Sequence, residues 1–265
     1  MALGTDLPEL FVSLNAGIDR LNGLETSGFA VGNIIGSSVA QAILILGLII
    51  IISKSLKIPK HVSSRDIVML VIATGLVLLL SQDGILSQTE GWALILVYVA
   101  YLLSILREEN SHGHKKRKKL NLWWSITSII AGFFALAYSA DTTLHNSLLL
   151  AEHLGISQTI VGIVIVGIGT SLPELATSLV ALKNSSAELA VGNVIGSTVF
   201  DLLFALGIGA SFAGFNIDRD LFFDLFTLLV GMVLVYIVAK QKPINRYSGY
   251  ALLTFFGLYL ILAIS

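Results

Sequence analysis

Apolar residues run through this chain in stretches of about 20, long enough for a helix to cross the hydrocarbon core of a bilayer. Nine segments stand out: Leu3–Leu21, Phe29–Ser53, Asp66–Gln82, Gly91–Leu106, Leu122–Leu149, Ile156–Leu182, Leu189–Phe212, Leu221–Ala239 and Tyr247–Ile264. The first is short and polar for a span. A segment isolated in lipid must satisfy its own backbone hydrogen bonds, so each segment predicts an α-helix. The expected fold class is an all-α polytopic membrane protein with about nine transmembrane segments.

Polar motifs interrupt this pattern, and they come in pairs. Gly169-Thr170-Ser171-Leu172-Pro173-Glu174-Leu175 lies inside the sixth segment, and Gly4-Thr5-Asp6-Leu7-Pro8-Glu9-Leu10 opens the first. Each is followed by a second matched block, Ala30-Val31-Gly32-Asn33-Ile34-Ile35-Gly36-Ser37 and Ala190-Val191-Gly192-Asn193-Val194-Ile195-Gly196-Ser197. The same two motifs in the same order mark an internal duplication. Residues 1–106 form the first repeat and 122–265 the second, joined by a linker at 107–121. Helix Leu122–Leu149 and half helix Ile156–Ile168 stand ahead of the second Gly-Thr motif, whereas three residues stand ahead of the first. The first repeat is therefore expected to be incomplete at its N-terminus.

Charge sorts the loops. Every Lys and Arg except Arg20 and Arg219 falls in alternate loops or their margins: Lys54 to Arg65, Arg107 to Lys119, Lys183, and Lys240 to Arg246. The positive-inside rule makes those loops cytoplasmic and the C-terminus external. Segments one and six then cross in opposite directions, as do segments two and seven. The duplication is thus an inverted-topology repeat, an architecture that places sites at the midplane where the halves meet.

Composition agrees: hydrophobic residues make up 55%, charged residues 12%, and mean hydropathy is +0.87, against about 25% charge in soluble domains. The chain has no cysteine, which excludes disulfides and thiolate metal sites. No signal peptide is visible. Lys115 to Lys119 reads as a solvated run against anionic lipid head groups rather than a nucleic-acid site, and His112 and His114 beside it as solvated. Trp92, Trp123 and Trp124 sit at span ends as interface anchors. Glu90, Asp220 and Asp224, also near span ends, are expected to face the interface.

Pro173 removes a backbone donor and disfavours helix before it. A broken helix is therefore expected over 169–173, restarting at Pro173, with the same break in the first copy. Freed carbonyls, the hydroxyls of Thr5, Thr170 and Ser171, and the carboxylates of Asp6, Glu9 and Glu174 make an oxygen cluster of the kind hard cations prefer. Asn193, Ser197 and Asp201 form one polar stripe on a continuous helix, with Asn33, Ser37 and Gln41 as its counterpart. Gly32 with Gly36, and Gly192 with Gly196, have the spacing that lets membrane helices approach closely. Ionisable groups within spans are costly and mark ion pathways, so Glu9 and Glu174 lead the candidate site. No catalytic motif is present, so an enzyme is not expected, and neither is a cofactor.

The paired motifs G-T-D-L-P-E-L with G-N-I-I-G-S-S-V-A-Q, and G-T-S-L-P-E-L with G-N-V-I-G-S-T-V-F-D, resemble the two α-repeats of the calcium/cation antiporter superfamily, most closely its prokaryotic sodium/calcium exchangers. The resemblance spans essentially the whole chain. It implies ten helices in two inverted halves, of which the nine segments match the second to the tenth. It implies that Glu9 and Glu174 are central Ca²⁺ ligands, that Thr5, Thr170 and Ser171 coordinate through backbone or hydroxyl oxygens, and that Ser37 and Ser197 complete flanking sodium sites. Asp201 matches an acidic position of such exchangers. Asp6 stands where serine is usual and Gln41 where asparagine is usual, which leaves the driving ion open. The function implied is antiport of Ca²⁺ against Na⁺ in a prokaryotic cell membrane. A proton-coupled or K⁺-dependent exchanger, a cation channel and a transport-inactive truncated chain are the alternatives.

Overall fold

The computed structural model describes residues 2–53, 55–56, 65–109, 122–184 and 186–264. The basic run Lys115–Lys119 and the two linker histidines lie outside the described residues.

In the first repeat, α1 (Ala2–Thr5) and α2 (Leu7–Leu21) are two pieces of one rod, interrupted at Asp6. α3 (Ser27–Val39) continues through a π-helical segment, Ala40–Ile45, into α4 (Leu46–Ser53). β1 (Ser55–Leu56), α5 (Ile67–Leu80), β2 (Ile85–Leu86) and α6 (Gln88–Glu109) follow. The second repeat opens with the long α7 (Leu122–Leu154). α8 (Gln158–Ile160), a π segment Val161–Gly167 and α9 (Ile168–Thr170) then run into α10 (Leu172–Lys183), interrupted at Ser171. α11 (Ala187–Phe200) continues through a π segment, Asp201–Ala205, into α12 (Leu206–Ala213). β3 (Phe215–Asn216), α13 (Arg219–Ala239), β4 (Ile244–Asn245) and α14 (Arg246–Ile264) complete it. The order matches the nine predicted segments within a few residues. Among the described residues, six helical rods are long and apolar enough to cross a bilayer, and Ile67–Leu80 is a shorter apolar helix.

Burial separates a centre from a periphery. The most apolar windows of Ser27–Ser53 and Ala187–Ala213 are 83% and 78% buried, against 22% for Arg246–Ala263. Apart from their polar stripes the first two are apolar around their circumference, as suits an interior helix, while α14 turns most of its surface outward. The rod from α8 to α9 lies along α3 in backbone contact. A Cβ on Gly36 would fall on the carbonyl oxygen of Ile163 and 2.7 Å from its Cα, and one on Gly167 would fall 2.7 Å from the Ser37 nitrogen. α2 meets α12 in the same way, Gly17 against Gly209.

Two short antiparallel pairs tie the repeats together. Ser55 lies opposite Asn245 in one, and Ile85 opposite Asn216 in the other. Each joins two loops that the charge pattern puts on the same side of the membrane.

Three expectations need correction. The helix break is a single residue, Ser171, rather than 169–173; Gly169 stays inside α9 and the Ser171 N–H reaches its carbonyl. Pro173 occupies the first turn of α10, where its missing N–H costs nothing. Gly192 approaches nothing among the described residues: a Cβ there would meet open space, so the packing of α11 against α10 does not run over this glycine. Asp224 is buried at 9% exposure rather than set in the interface.

Candidate functional site

The two helix breaks face the two central rods. Asp6 (φ −84°, ψ 2°) and Ser171 (φ −83°, ψ 0°) depart from helical geometry to the same degree. The breaks start new helices, so Glu9 and Glu174 lie in the first turns of α2 and α10, where the helix dipole favours a carboxylate. Both are fully buried, as are Asp6 and Asp201. Glu9 faces the charges of Glu174 and Asp6, Asp6 faces Asp201 and Glu174, and Asp201 faces Glu9 and Glu174. The four carboxylates therefore share one electrostatic neighbourhood.

The stripes from the two repeats meet directly. Ser37 Oγ and Gln41 Nε2 both donate to Asp201 Oδ2, at 3.0 Å each. Thr198 Oγ1 donates to Gln41 Oε1 at 3.1 Å. Ser171 Oγ reaches the Ser37 carbonyl and Thr170 Oγ1 reaches Asn33 Oδ1, both at 3.5 Å. Asn193 Nδ2 donates to Thr177 Oγ1 at 3.1 Å. Thr5 lies near Glu174 and Thr170 near Glu9, a crossed arrangement that follows from the inverted repeat. Both oxygens of Asp6, Glu9 and Glu174, Oδ1 of Asp201 and the Ser197 hydroxyl have no hydrogen-bond partner among the described residues.

All twelve residues singled out in the sequence fall on these two breaks and two stripes. Among the described residues no three acidic or histidine side chains converge as a metal-binding group. An ion here would complete its shell from the hydroxyls and amides beside the carboxylates. A buried carboxylate without a partner is costly, so the cluster calls for positive charge, and its all-oxygen donor set suits a hard cation.

Sequence reasoning missed two residues. Thr198 is buried and fixes which way the Gln41 amide points; one position past Ser197, it falls off the stripe that the helical period marks. Tyr98 on α6 packs its ring against Phe200 and Phe204, at 5.5 and 5.3 Å between centroids, and faces Asp6 and Asp201. No local pattern on α6 distinguishes it.

At the end of α2, Arg20 Nη1 bonds both oxygens of Glu25 and the Ser27 hydroxyl, each at 2.6 Å. Asn216 of the other repeat bonds Glu25 and Ser27 at 3.0 Å. Partial burial pushes the Glu25 carboxyl up, but the bonds from Ser27 and Arg20 outweigh it and hold it below its usual value.

Two central rods crossed by two interrupted helices, with carboxylates enclosed between them, define a multi-pass membrane transporter. The sequence model for the sodium/calcium exchanger protein family matches residues 1–107 and 124–265, and this chain belongs to that family. A putative antiporter, CaxA, from Alkalimonas amylolytica is 30% identical, over 97% of this chain and 83% of the relative. The sodium/calcium exchanger MaX1 of Methanosarcina acetivorans is 25% identical, over 98% of this chain and 86% of its own length. Among solved structures, the sodium-calcium exchanger NCX_Mj soaked with Na⁺ and Sr²⁺ superposes with a TM-score of 0.73 at 27% identity, covering 98% of this chain and 84% of that one.

Proposed function

We propose that this chain exchanges Ca²⁺ for Na⁺ across the membrane at the enclosed carboxylate cluster. The observation that carries the reading is the pair Glu9 and Glu174, one from each repeat, fully buried, facing each other and lacking hydrogen-bond partners. A Ca²⁺ ion between them satisfies both charges, and Na⁺ ions drawn to the same oxygens displace it. Thr5, Thr170 and Ser171 supply further oxygens from the helix breaks. Ser37 and Ser197, with Asn33 and Asn193, supply them from the central rods. Competition for one set of donors is what couples the two fluxes. NCX_Mj, the structural relative, is described as undergoing extracellular ion exchange and induced binding-site occlusion, which fits carboxylates that are fully buried. α7 packs against α2, and its movement along the rod that carries Glu9 would open the site to alternate faces. The basic linker 107–121 lies on the cytoplasmic side against anionic lipid, and the C-terminus is external.

The test is Ca²⁺ flux into proteoliposomes under opposed gradients of Na⁺, K⁺ or H⁺. Uptake is expected to follow the Na⁺ gradient and to fall at least a hundredfold in Glu174→Gln, the order of loss for a buried charge left without its partner. Uptake driven by H⁺ alone would replace Na⁺ as the counter-ion, and uptake indifferent to every gradient would replace exchange with a channel.

A further inference from the structure

The far end of α10 carries a charge that the carboxylate site does not use. Lys183 closes this helix on the side that carries the basic loops. It is exposed, and its ammonium makes no hydrogen bond or ion pair with any described residue. It lines a groove of about 350 Å³ between α10, the end of α4 and the start of α11. Ile52, Ser53, Leu179, Leu182 and Ala187 are the rest of the lining, so Lys183 is its one charged side chain. The Ser53 hydroxyl donates back to the Ile49 carbonyl at 2.8 Å, which leaves the ammonium to meet whatever enters. The acid nearest in sequence, Glu188, is exposed in the first turn of α11, where the helix dipole favours it.

The rest of that helix face is apolar. Leu172, Ala176 and Leu179 precede Lys183 by 11, 7 and 4 residues, which puts all four on one face of α10. All four are exposed. From Lys183 to Leu172 the helix runs about 16 Å, at 1.5 Å per residue. One leaflet of the hydrocarbon core is about 15 Å deep, half the thickness of the bilayer core. The strip thus has the length of a lipid acyl chain, with a cation where the head group lies. A lysine at a helix end reaches toward head groups, and basic residues at that level attract anionic lipids.

We propose that the groove between α4, α10 and α11 seats one anionic phospholipid, its phosphate on Lys183 and an acyl chain along Leu179, Ala176 and Leu172. The lipid then grips the end of the same helix whose first turn carries Glu174. The inference does not depend on which ions the carboxylates carry.

Native mass spectrometry of the purified full chain, in detergent with equal amounts of phosphatidylglycerol and phosphatidylcholine, counts the lipids that stay bound. The native chain is expected to retain about one phosphatidylglycerol more than Lys183→Gln. That lipid is expected to bind about fivefold more tightly than phosphatidylcholine, the share of one basic residue near an anionic surface. Lys183→Arg should keep it, and Ala187→Trp, which fills the groove, should lose it. The Lys183 ammonium bonds nothing in the fold, so Lys183→Gln should melt with the native chain in phosphatidylcholine, which separates a lost lipid from a lost fold. Equal phosphatidylglycerol counts in the native chain and Lys183→Gln overturn the proposal. Retention of the extra lipid by Ala187→Trp also overturns it, because the lipid then lies outside the groove. Equal affinity for phosphatidylcholine, or displacement of the lipid by inorganic phosphate, overturns it as well: the first removes the role of charge and the second the role of the apolar strip.

Discussion

Gly36 closes the glycine pair of the first motif block and Gly192 opens that of the second, and the structure gives the two opposite surroundings. Gly36→Ala places a methyl group on the Ile163 carbonyl oxygen and 2.7 Å from its Cα. These are backbone atoms, so no side chain can rotate away, and the helices must separate by the better part of an ångström. Overpacking of this kind costs about 1–3 kcal/mol, from which the better helix propensity of alanine subtracts about 0.5–1 kcal/mol. The net cost is about 1–2 kcal/mol. At roughly 2–4 °C per kcal/mol for a chain of this size, the melting temperature should fall by about 2–8 °C. Gly192→Ala meets nothing within 4 Å, so only the propensity gain remains, and the melting temperature should rise by about 1–4 °C. Thermal unfolding of both variants in one detergent provides the comparison. A Gly36→Ala protein as stable as the native one, or a Gly192→Ala protein that loses as much, would refute the argument from backbone contact.

Gly17→Ala strikes the carbonyl of Gly209 in α12 and should lower the melting temperature by an amount similar to Gly36→Ala in the same assay. Thr198→Val removes the bond that orients Gln41 and should cost about 1–2 kcal/mol by denaturant or thermal unfolding, since a buried amide oxygen is left unpaired. The Arg20–Glu25 contact is open to water on the Glu25 side and should contribute about 1 kcal/mol or less. Because Glu25 titrates below its usual value in the folded chain, that contribution is complete above the ordinary carboxylate range and is lost as pH falls through the lowered value. The stability difference between the native protein and Glu25→Gln should therefore shrink on acidification; a constant difference would remove Glu25 as its source.

Much of the site was legible because its elements are locally encoded. The proline in each Gly-Thr motif dictates a helix restart, and the acid that follows it lands in the first turn whatever surrounds it. The helical period alone put Asn193, Ser197 and Asp201 on one face. The width of the break was less legible: Gly169 permits unwinding, but the backbone needed to open only at Ser171. Asp224 sits a turn inside α13, where sequence position suggests the interface, and only the packing of neighbouring helices encloses it.

The sequence by itself determined the spans, the duplication and the acids at the helix breaks, since these follow from hydropathy, repetition and backbone chemistry along one chain. Which groups meet across the repeats was decided by tertiary structure alone. Asp201 is held by Ser37 and Gln41 from the other half, Thr198 governs the Gln41 amide, and Gly32 is in backbone contact where its counterpart Gly192 faces open space. Those pairings depend on how two inverted halves dock. Docking is fixed by close packing over the whole interface, and no local pattern of residues carries that information.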